Sequence, residues 1–130
     1  MRRGQGHRGP PMQEMVAARL SRLVEPAVLY LLGRRIAAHG YDLLARVNAM
    51  ALTDTPVDAG AIYRCLRQLE AEGAVVSTWD TSGGGPARRN YELTQLGWAR
   101  LKAWTALIER RAGALQSFLD EARALLDEQP

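Results

Sequence analysis

Cysteine is nearly missing from this chain of 130 residues, where Cys65 stands alone. An intrachain disulfide is therefore impossible, and no cysteine-based zinc or iron–sulfur site can be built. Lysine is as scarce: of the 17 basic residues only Lys102 is a lysine. The two histidines, His7 and His39, lie far apart, so no histidine cluster offers itself to a metal. Long apolar runs are absent as well. The longest, near Pro26 to Leu32, falls far short of a bilayer. The basic N-terminus leads into Gly and Pro, not into the apolar stretch of a secretory leader. These absences make the cytoplasm the expected compartment and leave no membrane partner.

What is present is ordinary globular material, 47% hydrophobic and 24% charged, which excludes a disordered tail. The length suits one domain with one modest core. Net charge is +3, a mild basic bias. Arginine suits phosphate because its planar fork donates two bonds at once. A preference for arginine equally reflects genomic base composition. The charge is also uneven: residues 53–93 carry four Arg against six acids. If that segment meets DNA, its basic groups must be sorted onto one face.

No Ser–His–acid or Cys–His set for nucleophilic catalysis is present, and no phosphate-binding glycine loop precedes a helix. An enzyme is not expected, nor is any cofactor or metal. The opening "MRRGQGHRGPPM" has no periodicity and reads as a flexible basic arm over residues 1–12. It could reach a minor groove or an acidic partner, or be a plain tail. A helical pattern begins at Gln13, with Met15, Ala18, Leu20, Leu23 and Val24 as a loose stripe. Pro26 suits the first turn of a second helix, "PAVLYLLGRR", which is apolar nearly all round and so belongs inside a domain. In "HGYDLLARVNAM" the expected amphipathic face is Tyr41, Leu44, Ala45 and Val47 or Asn48. "LTDTPVDAG" marks a turn and a new helix start.

The next helix, "GAIYRCLRQLEAEG", divides into two faces. At 100° per residue Ile62, Leu66, Leu69 and Gly73 share one side, and Gly60, Tyr63, Arg64, Arg67 and Ala71 the other. Glu70 and Glu72 fall on the flanks, away from the arginines. Gly73 is a helix stop. "AVVSTWD" and "NYELT" read as strands joined by the glycine-rich turn "TSGGGPARR", with Arg88 and Arg89 near its end. Three helices and then a hairpin with a basic tip spell a winged helix-turn-helix over residues 13–93, mainly α with a small β component.

From the N-cap Thr94 onward no strong breaker appears before Pro130. Trp98, Leu101, Thr105, Ile108, Ala112, Leu115, Leu119, Ala122 and Leu126 step alternately by three and four, a heptad seam. Such a helix reaches on the order of 45–50 Å. A small winged-helix body cannot cover that length, so residues 94–130 are expected to form a dimerisation helix. Leu101, Ile108, Leu115, Leu119 and Leu126 are its interface positions, and a homodimer is the economical assembly.

The stretches "HGYDL", "GAIYRCLRQLEAEG" and "GGPARRNYELTQLG" together resemble the PadR family of bacterial transcriptional regulators, over roughly residues 26 to 126. The glycine-rich wing followed by Tyr-x-Leu-Thr and a long helix is the most specific part. The family's helix motif is usually Gly-Thr-Leu-Tyr-Pro; here Gly60-Ala61-Ile62-Tyr63-Arg64 stands in its place. Ala61 loses a hydroxyl donor and Arg64 adds a charged one, so the departure bears on the operator sequence. The resemblance implies a dimeric repressor, of the short-tailed subfamily, on a pseudo-palindromic operator in double-stranded DNA. It also implies relief by a small aromatic or hydrophobic effector. Helical material from Gln13 to Val24 is then expected against the partner's long helix.

In a winged helix the second helix of the turn enters the major groove and the hairpin lies along the backbone or minor groove. Arg64, Arg67 and Gln68 have the reach for base edges, arginine preferring guanine and glutamine adenine. Tyr63 offers its hydroxyl to phosphate, and Arg88 and Arg89 meet phosphates or a narrow minor groove. Trp98 and Trp104, at the start of the seam, either pack or flank a flat effector by stacking. His39 is expected to cap or pack at a helix start, and Cys65 to be an inert packed thiol. The rival reading is a winged-helix dimer that binds protein and has no sequence-specific DNA contact; the acidic balance of residues 53–93 and the altered helix motif favour it.

Overall fold

A computed structural model describes residues 23–35, 39–53 and 55–130 of the chain. The basic arm expected over residues 1–12, and the helical pattern from Gln13 up to residue 22, lie outside the described residues. Helix α1 spans Val24–Arg34, α2 Gly40–Met50 and α3 Ala59–Ala71. An antiparallel hairpin follows, β1 Val75–Asp80 and β2 Arg88–Leu93, and then the long helix α4, Gln95–Asp127. The order and the two-stranded sheet are those of a winged helix-turn-helix with a long C-terminal helix.

Pro26 sits in the first turn of α1, where its missing N–H has no intrahelical partner to lose. Val28, Leu29, Leu31 and Leu32 are all buried, and only Tyr30 on the central turns faces solvent, under the Arg34 guanidinium. Around α1 pack Leu43 and Val47 from α2, Ile62, Leu66 and Leu69 from α3, and Val75 and Tyr91 from the hairpin. Ile62, Leu66 and Leu69 of the apolar side read for α3 are thus its core side, whereas Gly73 falls beyond the helix end and is exposed. For α2 the expected face is rotated. Leu43 and Val47 point inward with Gly40, whereas Tyr41 is 78% exposed. Leu44 is only half-buried against the core and Ala45 faces out. The sequence pattern of α2 admits two adjacent stripes, and its docking on α1 selects the one containing Leu43.

The turn between α2 and α3 is closed by Asn48, which the sequence offered only as an alternative to Val47 on the apolar face. Its amide donates to the Val57 carbonyl at 3.1 Å and accepts from the Val57 N–H at 2.8 Å. Asp58 then caps α3 by accepting from the Ala61 N–H at 2.8 Å. At the other end Gly73 takes a left-handed conformation, φ +79°, which glycine adopts without a Cβ penalty. The Ala74 N–H returns to the Leu69 carbonyl and the Gly73 N–H to that of Glu70, a Schellman closure. Both ends of α3 are therefore held by specific bonds.

The hairpin is longer than its sequence pattern indicates. Strand β2 begins at Arg88, so Arg88 and Arg89 are ladder residues opposite Asp80 and Trp79 and not part of the turn. Stacking of the Arg89 guanidinium on Trp79 across one of the two added rungs supports the longer ladder. Thr94 caps α4 as expected, accepting from the Gly97 N–H at 3.1 Å. Its hydroxyl also donates to the Gly73 carbonyl at 2.6 Å, which ties the start of α4 to the end of α3.

Helix α4 has 33 residues, about 50 Å at 1.5 Å per residue. Its first third packs on α1 through Leu101 and Trp104. Beyond Leu107 the described residues leave much of it uncovered: Leu115, Phe118, Leu119, Leu125 and Leu126 are all exposed. No helix among the described residues is long and apolar enough to cross a membrane.

Candidate nucleic-acid interface

Helix α3 shows its outward side between the hairpin on one flank and the start of α1 on the other. Arg64 and Arg67 are exposed on the middle of this side. Tyr63 lies on the flank toward α2 and the hairpin. Its ring rests directly on Gly40, where a Cβ would come within 2.5 Å of the ring. Glycine at the first position of α2 is thus what lets the tyrosine lie flat. Gln68 occupies the opposite flank, facing Val24 and Glu25.

Between the hairpin and α2 is a hollow of about 360 Å³, with Tyr63, His39 and Arg88 among its lining residues. The start of α2 opens into it without a side-chain cap. Tyrosine hydroxyl, uncapped N–H groups and arginine are all donors, a set complementary to a phosphate oxygen.

The two wing arginines differ in what they already hold. The Arg89 guanidinium lies 5.0 Å from the centre of the Trp79 ring, donates to Ser77 Oγ at 2.7 Å and stands 3.6 Å from the Glu70 carboxylate. Ser77 Oγ in turn donates to Glu70 at 2.6 Å. Arg89 therefore fastens the hairpin to the flank of α3. Arg88 makes no ion pair among the described residues and is exposed. Sequence alone could not separate these neighbours, because Glu70, Ser77 and Trp79 come together only when the hairpin folds against α3.

The acids that outnumber the basic groups in this segment are largely engaged. Glu70 holds Arg89, Glu72 pairs with Arg100 on α4, and Asp58 serves as the α3 cap. Asp80 faces His39 Nε2 at 3.4 Å, and bonds from Ser82 hold its carboxyl below the usual carboxylate range. The outward side of α3 is left to its arginines. His39 stands at the N-cap position of α2 without capping it. The Cys65 thiol is pushed up to about 12, first by burial and then by the Glu25 carboxylate, so it stays protonated and unreactive at neutral pH. No cluster of metal-binding side chains occurs among the described residues.

The profile of the transcriptional regulator PadR-like family matches residues 28–103, from α1 into α4. This chain belongs to the PadR-like family. It is a transcriptional regulator, not an enzyme. Among solved structures, a PadR-family regulator from Eggerthella lenta is 26% identical, with a TM-score of 0.67 over 82% of this chain and 90% of its own. A PadR-like regulator from Bacillus cereus shares the fold at 24% identity and a TM-score of 0.67, covering 78% of this chain and 96% of its own. A PadR-like transcription factor from Bacteroides fragilis does so at 21% identity and a TM-score of 0.63, covering 81% and 98%. No protein with a curated description matches the sequence.

In this PadR-like chain the two tryptophans read at the start of the seam do not share a site. Trp98 covers Gly33 at the end of α1, where a Cβ would lie 3.0 Å from its ring, and walls a cleft of about 210 Å³ with Leu32, Tyr91 and Leu93. Trp104 lies against the start of α1, and its indole N–H donates to Glu25 at 2.5 Å. The same carboxylate receives two bonds from Arg100, each of 2.8 Å. This polar cluster at the junction of α1, α3 and α4 had no signature in the sequence, since its partners are up to 79 residues apart.

Proposed function

We propose that this PadR-like protein is a dimeric repressor whose α3 helices read an operator with inverted half-sites. The observation that carries the reading is the outward side of α3. Arg64 and Arg67 are exposed there between fixed helix ends, while the neighbouring acids are engaged elsewhere. Arg64, Arg67 and Gln68 supply the base contacts, and Tyr63 and Arg88 take backbone phosphates beside the α2 start. Arg89 contributes by holding the wing in place and by its charge. The engaged acids also count against the rival reading of a protein-binding module, one of whose two supports was the acidic balance of residues 53–93.

Dimerisation rests on the uncovered length of α4. Leu101 is partly covered by the body, whereas Ile108, Leu115, Leu119 and Leu126 are exposed on one seam. A second copy of the helix covers them with complementary spacing.

Titration of Arg67→Ala and Arg88→Ala on selected and on random DNA, each at several salt concentrations, separates the two kinds of contact. Arg67→Ala is expected to lower operator affinity by roughly 5- to 150-fold, the range for loss of a bidentate base contact, with little change on random DNA. Arg88→Ala is expected to weaken both alike and to reduce the salt slope by about one. Equal losses from Arg67→Ala on both DNAs would reject its base-reading role. Selection from fragmented genomic DNA supplies the operator, and failure to enrich any inverted repeat would turn the reading toward the protein-binding module.

An effector reading follows from Trp98, which is 53% exposed above a cleft, and less from Trp104, whose N–H is already bonded. A planar aromatic compound stacked there changes operator affinity only if it favours one separation of the two α3 helices. Among a panel of phenolic acids, a binder is expected to quench the fluorescence of Trp98 and release the operator in one titration. Quenching that leaves DNA affinity unchanged would reject regulation through this cleft.

A further inference from the structure

Arg100 is the one cation that joins α4 to both α1 and α3 among the described residues. Its Nε and Nη2 grip the Glu25 carboxylate at 2.8 Å each, and the Trp104 N–H bonds the same carboxylate. The third nitrogen, Nη1, bonds Glu72, the residue that ends α3. Glu72 uses its other oxygen to accept from the Gln68 side-chain amide at 2.5 Å. An ionised carboxylate accepts and cannot donate, so it must face the amide NH2 of Gln68 and not its carbonyl. The oxygen and second N–H of the exposed Gln68 side chain are not used by this bond. A glutamine presents that pair, acceptor beside donor, to the edge of an adenine.

We infer that Arg100 is a positioning residue for DNA reading: through Glu72 it sets the orientation of the Gln68 amide on the recognition helix. The inference rests on the operator reading proposed above and adds to it a physical link from the dimer helix to one base contact. Two observations support the link. Glu72 has its carboxyl held below the usual range, by the Gln68 amide first and by Arg100 next, so the chain of bonds is charged at neutral pH. Arg100 itself cannot turn away easily, because the bidentate grip on Glu25 fixes the plane of its guanidinium. A displacement of α4 against the body, such as a change in dimer geometry, therefore reaches Gln68 through three side chains in contact.

The test uses the full chain and two variants, Arg100→Gln and Glu72→Ala. The second removes only an exposed carboxylate and leaves the Glu25–Arg100–Trp104 cluster intact, so it keeps the test open if Arg100→Gln folds poorly. The first readout needs no DNA: the NMR order parameter of the Gln68 side-chain NH2. High order in the native chain and low order in both Glu72→Ala and Arg100→Gln is expected. Native-like order in Glu72→Ala, or in a folded Arg100→Gln, would overturn the inference. The second readout is discrimination between the selected inverted repeat and repeats changed one base pair at a time. Gln68→Ala is expected to lose about tenfold discrimination at one position. Glu72→Ala is expected to lose it at that same position, with no further loss in the double variant. Additive losses, or losses at different positions, would overturn the link. If no repeat is enriched at all, the operator reading fails, whereas an ordered Gln68 amide that loosens in Glu72→Ala still upholds the positioning by itself.

Discussion

Replacing Leu115 and Leu119 together by glutamate is expected to leave a folded monomer that has lost its hold on the operator. Neither side chain contributes to the core, since Leu115 is 62% and Leu119 39% exposed within the chain. Glutamate is nearly as good a helix former as leucine, so α4 persists. In the proposed dimer both positions lie on the seam, where each buried leucine is worth about 1.5–3 kcal/mol. Four glutamates meeting there add repulsion to that loss. The sedimenting mass should fall to that of one 14.3 kDa chain. Two linked half-site readers gain roughly 10²–10⁴ in avidity over one, and that factor should vanish from operator affinity. Weak binding to random DNA should survive, because the arginines of α3 and the wing are untouched. A dimeric mass in this variant would place the interface elsewhere and remove the seam from the account.

Gly97→Ala should lower stability although it puts a better helix former inside a helix. Propensity alone favours alanine by about 1 kcal/mol. The local packing decides the other way. A Cβ on Gly97 would overlap the Ala74 carbonyl oxygen and lie 3.0 Å from a methyl of Leu93. The methyl can yield. The carbonyl cannot, because it belongs to backbone that already accepts from the Thr94 N–H at 3.0 Å. Relief requires moving the start of α4 away from the junction of α3 and β1. Overpacking of this kind costs about 1–3 kcal/mol and more when backbone must shift. A net loss of about 2 kcal/mol corresponds to a drop in Tm on the order of 10 °C. A Tm that holds or rises would show that the contact is soft and that propensity governs the site.

Much of this regulator was legible in its sequence because local rules and burial agree along it. The two faces of α3 follow from a 3.6-residue period that the core then uses through Ile62, Leu66 and Leu69. Its ends follow from local preferences, a turn-rich stretch before it, in which the structure makes Asp58 the cap, and Gly73 as its stop. The α4 seam is equally plain, since a helix with apolar residues every three and four positions keeps that stripe whether or not anything covers it. Those elements carry the winged-helix assignment and the family. Local rules failed where two answers were locally equal. The stripes of α2 containing Leu43 or Tyr41 are both helical, and only docking against α1 selects between them. Arg88 and Arg89 are chemically identical neighbours, yet strand alternation points one toward Glu70 and Trp79 and the other away. Trp98 and Trp104, six residues apart, end against opposite ends of α1. The Arg100 cluster is the extreme case. Its bonds join residues 28 and 75 apart, and an ion pair at such separation has no sequence period to announce it. Sequence determined which surfaces this protein has, because periodicity and caps act within a few residues. Tertiary structure decided which arginine, tryptophan and carboxylate stand on each surface, because that depends on contacts made only after the helices and the hairpin have met.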